Sequence, residues 1–90
     1  MTDVKKYFEE ALQDPEIRAE VEALEPIYAI KRQLLAARLE LNLTQAELAE
    51  RIGTKQSSIA RAESGRSLPS LRFVQKLAGA LGKKLTITFH

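Results

Sequence analysis

Between Thr44 and Pro69 the chain reads TQAELAERIGTKQSSIARAESGRSLP, and this run leaves few folds open. Thr44 followed three residues later by Glu47 forms a capping box: the hydroxyl accepts from the Glu47 amide and the carboxylate reaches back to the Thr44 N–H, so a helix begins here. Leu48 and Ile52 lie four apart and share one face of that helix, with Ala49 small where a second helix crosses closely. Gly53 permits the left-handed backbone of a tight turn. Thr54 is placed to cap a second helix, in which Ile59 and Ala62 point inward. Lys55, Gln56, Ser57, Ser58 and Arg61 are left for solvent or a ligand, and Gly65 closes the helix. Two short helices joined by a tight turn, the second polar on its outer face, suit insertion into the major groove of DNA.

The rest of the chain is read around this run. Val4, Phe8, Ala11 and Leu12 recur at helical spacing, which predicts a short amphipathic helix over residues 3–13. Asp14-Pro15-Glu16 is a second helix start, with Asp as cap, Pro at the first position and an acid near the positive end of the dipole. Its stripe is Ile17, Val21 and Leu24; Glu25-Pro26 then starts a further helix to about Glu40, with Ile27, Ile30, Leu34 and Leu41 inward. Leu41-Asn42-Leu43 connects to the capping box. Ser70 caps a last helix with the apolar face Leu71, Val74, Leu77, Ala78 and Leu81, ended by Gly82. From Lys84 the period changes: Leu85, Ile87 and Phe89 alternate with Thr86, Thr88 and His90, a strand signal. One strand alone cannot satisfy its backbone groups. The simplest solution pairs it with the same strand of a second copy in a two-fold dimer; the alternatives are addition to another protein's sheet or a mobile tail, against which three large apolar side chains argue.

Ninety residues make one small domain with an appendage. There is no cysteine, so disulfides and thiolate metal sites are excluded, and no stretch has the length of a membrane span or the pattern of a signal peptide. The expected location is therefore the cytoplasm, of a bacterium, at the nucleoid when DNA is bound. The only histidine is the terminal His90, and no cysteine nucleophile, phosphate-binding glycine loop or metal-ligand cluster is visible, so neither enzyme activity nor a cofactor or metal is expected. The net charge of +2 hides an asymmetry: residues 1–27 carry eight acids against three bases, and residues 28–90 carry eleven bases against four acids. The basic part coincides with the candidate DNA-binding run, as phosphate binding requires. The acidic part is repelled by DNA and either solvates its helices or serves another partner.

Thr44-Gln45, Leu48-Ala49, Gly53, Gln56, Ile59, Glu63, Gly65 and Pro69 resemble the helix-turn-helix domain of the phage-repressor and Cro family, also called the XRE family, over roughly Tyr28 to Gly82. The resemblance implies an all-α protein: a five-helix Cro/repressor-like domain over residues 28–83, preceded by two short helices in residues 1–27 and followed by the strand at 84–90. Gln56, Ser57 and Arg61 match base-reading positions of that family. A Gln amide suits adenine, Ser is less selective, and Arg61 suits either guanine or a phosphate. Thr44 and Gln45 at a helix N-terminus, with Lys55, Ser58 and Arg66, are candidates for phosphates. Lys31, Arg32, Arg72 and Lys76 are read as solvating their helices. The resemblance places Arg38 and Glu63 as a structural ion pair between the first helix of the domain and the recognition helix. A dimer joined through Leu85, Ile87 and Phe89 would read two half-sites of operator DNA.

The full layout, with its Asp14-Pro15-Glu16 turn, the approach Leu24-Glu25-Pro26-Ile27-Tyr28 and the terminal Leu85-Thr86-Ile87-Thr88-Phe89, resembles HigA-type antitoxins. That resemblance implies neutralisation of a RelE/HigB-like messenger-cleaving toxin and repression of the chain's own operon. Phe8, Leu12, Ile17, Val21 and Tyr28 are the toxin-contact candidates, chosen because they form stripes. The alternatives are a stand-alone phage-type or chromosomal repressor and an interaction adaptor without DNA binding.

Overall fold

Single residues write most of the helix ends of this chain. The structure, a computed structural model, describes residues 2–65 and 68–90. It contains the helices α1 (Thr2–Ala11), α2 (Pro15–Glu40), α3 (Gln45–Ile52), α4 (Gln56–Ser64) and α5 (Leu71–Ala80), and no strand among the described residues. Asp14 caps α2, its carboxylate accepting from the Glu16 N–H at 2.9 Å, with Pro15 in the first turn. Arg18 Nε donates to the Leu12 carbonyl at 2.8 Å and ties the end of α1 to the start of α2.

At Pro26 the structure departs from the expectation. The chain does not restart there; α2 runs through it for 26 residues, about 39 Å at 1.5 Å per residue. A proline in a helix interior removes one hydrogen bond, here to the Glu22 carbonyl, and its ring crowds that oxygen. Residues 18–26 are all exposed, so water can satisfy the freed carbonyl and the helix continues. One short N-terminal helix therefore precedes the domain, not two, and the domain is built from the second half of α2 with α3, α4 and α5, not from five helices of its own.

Three helices end in one way, on a residue with left-handed backbone: Asn42 (φ 55) after α2, Gly53 (φ 68) after α3 and Gly82 (φ 71) after α5. In each case two amides fold back onto the last turn, as when Leu43 N–H donates to the Arg38 carbonyl at 3.2 Å and Lys83 N–H to the Ala78 carbonyl at 2.8 Å. Gly65 ends α4 for a different reason: its φ is −69°, and a Cβ there would lie 2.8 Å from the Arg61 carbonyl oxygen.

The core gathers Leu34 and Ala37 of α2, Leu43 from the turn after it, Leu48, Ala49 and Ile52 of α3, Ile59 and Ala62 of α4, and Leu77 with Leu81 at the end of α5. Two expected core residues point outward. Leu41 is 47% exposed because the left-handed turn at Asn42 swings Leu43 inward instead; Leu71 is 54% exposed, and Phe73 packs against the core from the same helix. The expected strand is not formed either. Residues 83–90 run without regular structure, because the described residues offer no second strand to complete a ladder. Leu85 is half-buried, but Ile87 and Phe89 are exposed, the latter by 94%. Together with Pro26, Ala29, Ile30 and Gln33 of α2 this tail lines an open groove.

The first half of α2 and α1 stand clear of the core. Val4, Tyr7, Phe8, Leu12, Ile17, Val21, Leu24 and Tyr28 are all exposed. The radius of gyration, 15.7 Å, exceeds the roughly 12 Å of a compact chain of this length. No helix is long and apolar enough to cross a membrane among the described residues.

Candidate nucleic-acid interface

Helix α3 begins at the capping box: Glu47 N–H donates to Thr44 Oγ1 and Thr44 N–H donates to the Glu47 carboxylate, both at 3.0 Å. The hydrogen bonds from Thr44 hold the Glu47 carboxyl below its ordinary value. After Gly53, Thr54 donates its N–H back to the Ala49 carbonyl at 2.9 Å. Thr54 therefore closes α3; the residue before α4 is Lys55, which makes no side-chain cap. The first amides of α4 thus have no side chain of their own chain across them, leaving donors at a helix N-terminus free for an anion.

Helix α4 turns one face inward and the other to solvent. Ile59 and Ala62 are each 1% exposed, whereas Gln56, Ser57 and Arg61 are exposed and Ser58 is half-buried. Ser57 and Arg61 lie one turn apart on the open face. Lys55 is exposed beside them at the turn, and Arg66 lies outside the described residues. Beneath this face a polar frame locks α4 to the rest of the domain. Arg38 of α2 meets Glu63 through two bonds, Nε to Oε2 at 2.6 Å and Nη2 to Oε1 at 3.0 Å, and its Nη1 donates to the Leu43 carbonyl at 2.6 Å. Both side chains are about nine-tenths buried. Burial alone would raise the Glu63 carboxyl; the hydrogen bonds from Arg38 and Gln45, with the Arg38 charge, outweigh it and hold the group below its ordinary value. The same hydrogen bond holds the Arg38 guanidinium above its ordinary value against the opposing effect of burial.

Two members of this frame are not where the sequence reading puts them. Gln45 is half-buried, and its amide donates to Glu63 Oε1 at 3.0 Å, so part of its capacity is spent inside the protein. Lys31 does not solvate α2. It is 2% exposed, and Nζ donates to the carbonyls of Arg61 at 2.9 Å and Ala62 at 3.0 Å. Desolvation lowers its pKa. A signal for this was present: Lys31 falls between Ile30 and Leu34 on the inward stripe, seven residues before Arg38.

Two helices joined at a left-handed glycine, the second presenting polar side chains over a buried polar frame, define a helix-turn-helix protein. A family model described as helix-turn-helix matches residues 34–87, and the chain belongs to this XRE-type family of DNA-binding transcription regulators. An uncharacterised HTH-type transcriptional regulator of Methanothermobacter thermautotrophicus is 49% identical over 47 residues, covering 52% of this chain and 68% of the relative. The antitoxin HigA1 of Mycobacterium tuberculosis is 31% identical over 89 residues, 98% of this chain and 60% of its own length. The transcriptional repressor RstR of the cryptic phage CTXphi of Vibrio cholerae is 40% identical over 52 residues, 58% of this chain and 46% of the repressor. The chain thus spans between about half and two thirds of the length of these curated relatives. No solved structure matches it significantly.

Proposed function

We propose that the chain is an antitoxin and autorepressor: it binds operator DNA through α4 as a homodimer and neutralises a RelE/HigB-like messenger-cleaving toxin through its N-terminal helices, in the bacterial cytoplasm. The observation that carries the reading is a division of labour along α2. Its second half supports the recognition helix, while its first half, with α1, is acidic and exposes a stripe of large apolar side chains that the domain does not use. The similarity to HigA1 extends across 98% of the chain, including this segment. A toxin that grips RNA has a basic surface, and residues 1–27, with eight acids against three bases, complement it.

On this reading Gln56, Ser57 and Arg61 read bases; Thr44, Gln45, Lys55, Ser58 and Arg66 hold phosphates. Phe8, Leu12, Ile17, Val21 and Tyr28 contact the toxin. Leu85, Ile87 and Phe89 pair with their counterparts in a second copy, completing the ladder that one chain cannot form and giving the two half-site readers that specific binding needs. A stand-alone repressor is the second reading, favoured by the similarity to RstR over 52 residues. It leaves the exposed apolar stripe without a purpose.

Co-expression with the small reading frame adjacent to this gene separates the two. The antitoxin reading expects that the neighbour alone arrests growth and that this chain rescues growth and co-purifies with it. A harmless neighbour with nothing co-purifying leaves the stand-alone repressor.

A further inference from the structure

Two cations reach from α2 to α4, but only Arg38 meets an acid there. Lys31 ends on two main-chain oxygens in the last turn of α4, at 2.9 Å from the Arg61 carbonyl and 3.0 Å from that of Ala62. The ammonium sits at the negative end of the α4 dipole, and at Arg61 it shares the carbonyl oxygen with the Gly65 N–H, which donates at 2.9 Å. Burying a lysine at 2% exposure is unfavourable unless its hydrogen bonds are made. An apolar side chain could fill the slot between Ile30 and Leu34 without that desolvation. What the lysine adds is direction, because two hydrogen bonds fix the end of α4 against α2 where apolar packing tolerates small rotations.

The last turn of α4 is thus gripped at three consecutive residues. Lys31 holds the backbone of Arg61 and Ala62, and Arg38 holds the side chain of Glu63. Arg61 belongs to both surfaces: its carbonyl oxygen is held from below while its side chain is exposed above. A binding constellation has to be kept within roughly 0.5 Å and 10–20° of its productive geometry, and a roll of the helix moves every side chain on the open face together.

We propose that Lys31 is a positioning residue for DNA recognition: by bonding the C-terminal carbonyls of α4 it sets the roll of that helix and hence the aim of Ser57 and Arg61. The proposal rests on the DNA-reading role given to α4 above. It predicts a loss of sequence discrimination, not of general affinity for DNA, when the ammonium is removed. The Arg61 carbonyl keeps its 2.9 Å bond from the Gly65 N–H, so the helix itself persists.

The test compares Lys31→Met, which keeps the apolar stem, with Leu34→Ala, which opens the core one turn further along α2 and leaves both lysine bonds intact. Each protein is titrated against the duplex immediately upstream of its own reading frame and against a scrambled duplex of equal length. In Lys31→Met the ratio of the two affinities falls about tenfold, the scale of one lost base contact, while scrambled-duplex binding stays within about twofold. The amides of Glu63, Ser64 and Gly65 exchange at least about tenfold faster in the free variant, which is the range over which local opening is read. Leu34→Ala lowers the melting temperature and keeps the ratio. A wild-type ratio in Lys31→Met, or an equal loss in Leu34→Ala, overturns the proposal. If Lys31→Met does not fold, Lys31→Gln, which keeps a donor on a shorter stem, is measured in the same way. A wild type that binds both duplexes equally refutes the DNA-reading role itself. The exchange data then stand alone: unchanged rates overturn the Lys31 bonds as a restraint, and faster rates leave Lys31 a structural residue only.

Discussion

Glu63 is buried and accepts from both Arg38 and Gln45. Replacing Arg38 with Leu leaves that carboxylate buried without its counter-ion, at a cost on the order of 3–5 kcal/mol, which urea unfolding should register as a lower midpoint. Because the folded chain holds Glu63 below its ordinary value of 4.5, the folded state binds fewer protons than the unfolded chain as pH falls through that region. The stability from Glu63 is complete above 4.5 and is lost as pH drops toward the folded value. Glu47 shifts in the same direction. Urea titrations across the acid range should therefore show wild-type stability falling with pH, and a shallower fall in Glu63→Gln. At Gly65 a methyl group would sit 2.8 Å from the Arg61 carbonyl oxygen, and that oxygen is backbone, so Gly65→Ala should cost about 1–3 kcal/mol in thermal unfolding. For the outer face, Gln56→Ala should cost about 1–3 kcal/mol of operator binding if the amide reads a base. Arg61→Ala does the same if it reads guanine; if it holds a phosphate, it weakens all sequences alike and reduces the salt slope by about one.

Among the elements, α3 and α4 were legible because their signals are local. A capping box acts within four residues, and the left-handed Gly53 ends a helix whatever surrounds it. Thr44→Ala removes the cap and should destabilise the domain by about 1 kcal/mol in urea titration. The length of α2 was not legible. Pro26 reads as a start because proline is favoured in a first turn, yet the same ring is accommodated mid-helix where the orphaned carbonyl can reach water. Pro26→Ala restores the missing N–H. It should raise helicity by circular dichroism and slow amide exchange across residues 18–26, with the gain bounded by about 3 kcal/mol. Unchanged exchange there would mean that α2 is already as well ordered with the proline as without it.

For the whole molecule, the projecting half of α2 means that stability and partner binding can be separated. Residues 1–27 contribute nothing to the buried hydrophobic core, so a chain beginning at Tyr28 should unfold cooperatively and keep its DNA binding. On the proposed antitoxin role, the same truncation should lose neutralisation of the toxin; full rescue of growth by the shortened chain would place the toxin site elsewhere. At the other end, Ile87 and Phe89 are exposed but belong to a chain segment with strand periodicity. If the proposed dimer forms through this segment, removing residues 85–90 should shift sedimentation from dimer to monomer and weaken operator binding, since one small module alone binds DNA weakly.

Taken by itself, the amino-acid order determined what depends on near neighbours: the caps at Asp14, Thr44 and Ser70, the left-handed ends at Gly53 and Gly82, and the opposition of Ile59 and Ala62 to Gln56, Ser57 and Arg61. These follow from hydrogen bonds and side-chain directions within about one turn. The tertiary structure decided whatever depends on what lies across a gap. The spacing of Lys31 puts it on the inward stripe, but only α4 supplies the two carbonyls it meets, and Gln45 looks free until Glu63 meets it. Leu43 displaces Leu41 from the core because Asn42 turns the chain, and Pro26 stays helical because its side of α2 faces water. Burial and pairing are properties of two surfaces brought together, and no spacing within a single segment records the second one.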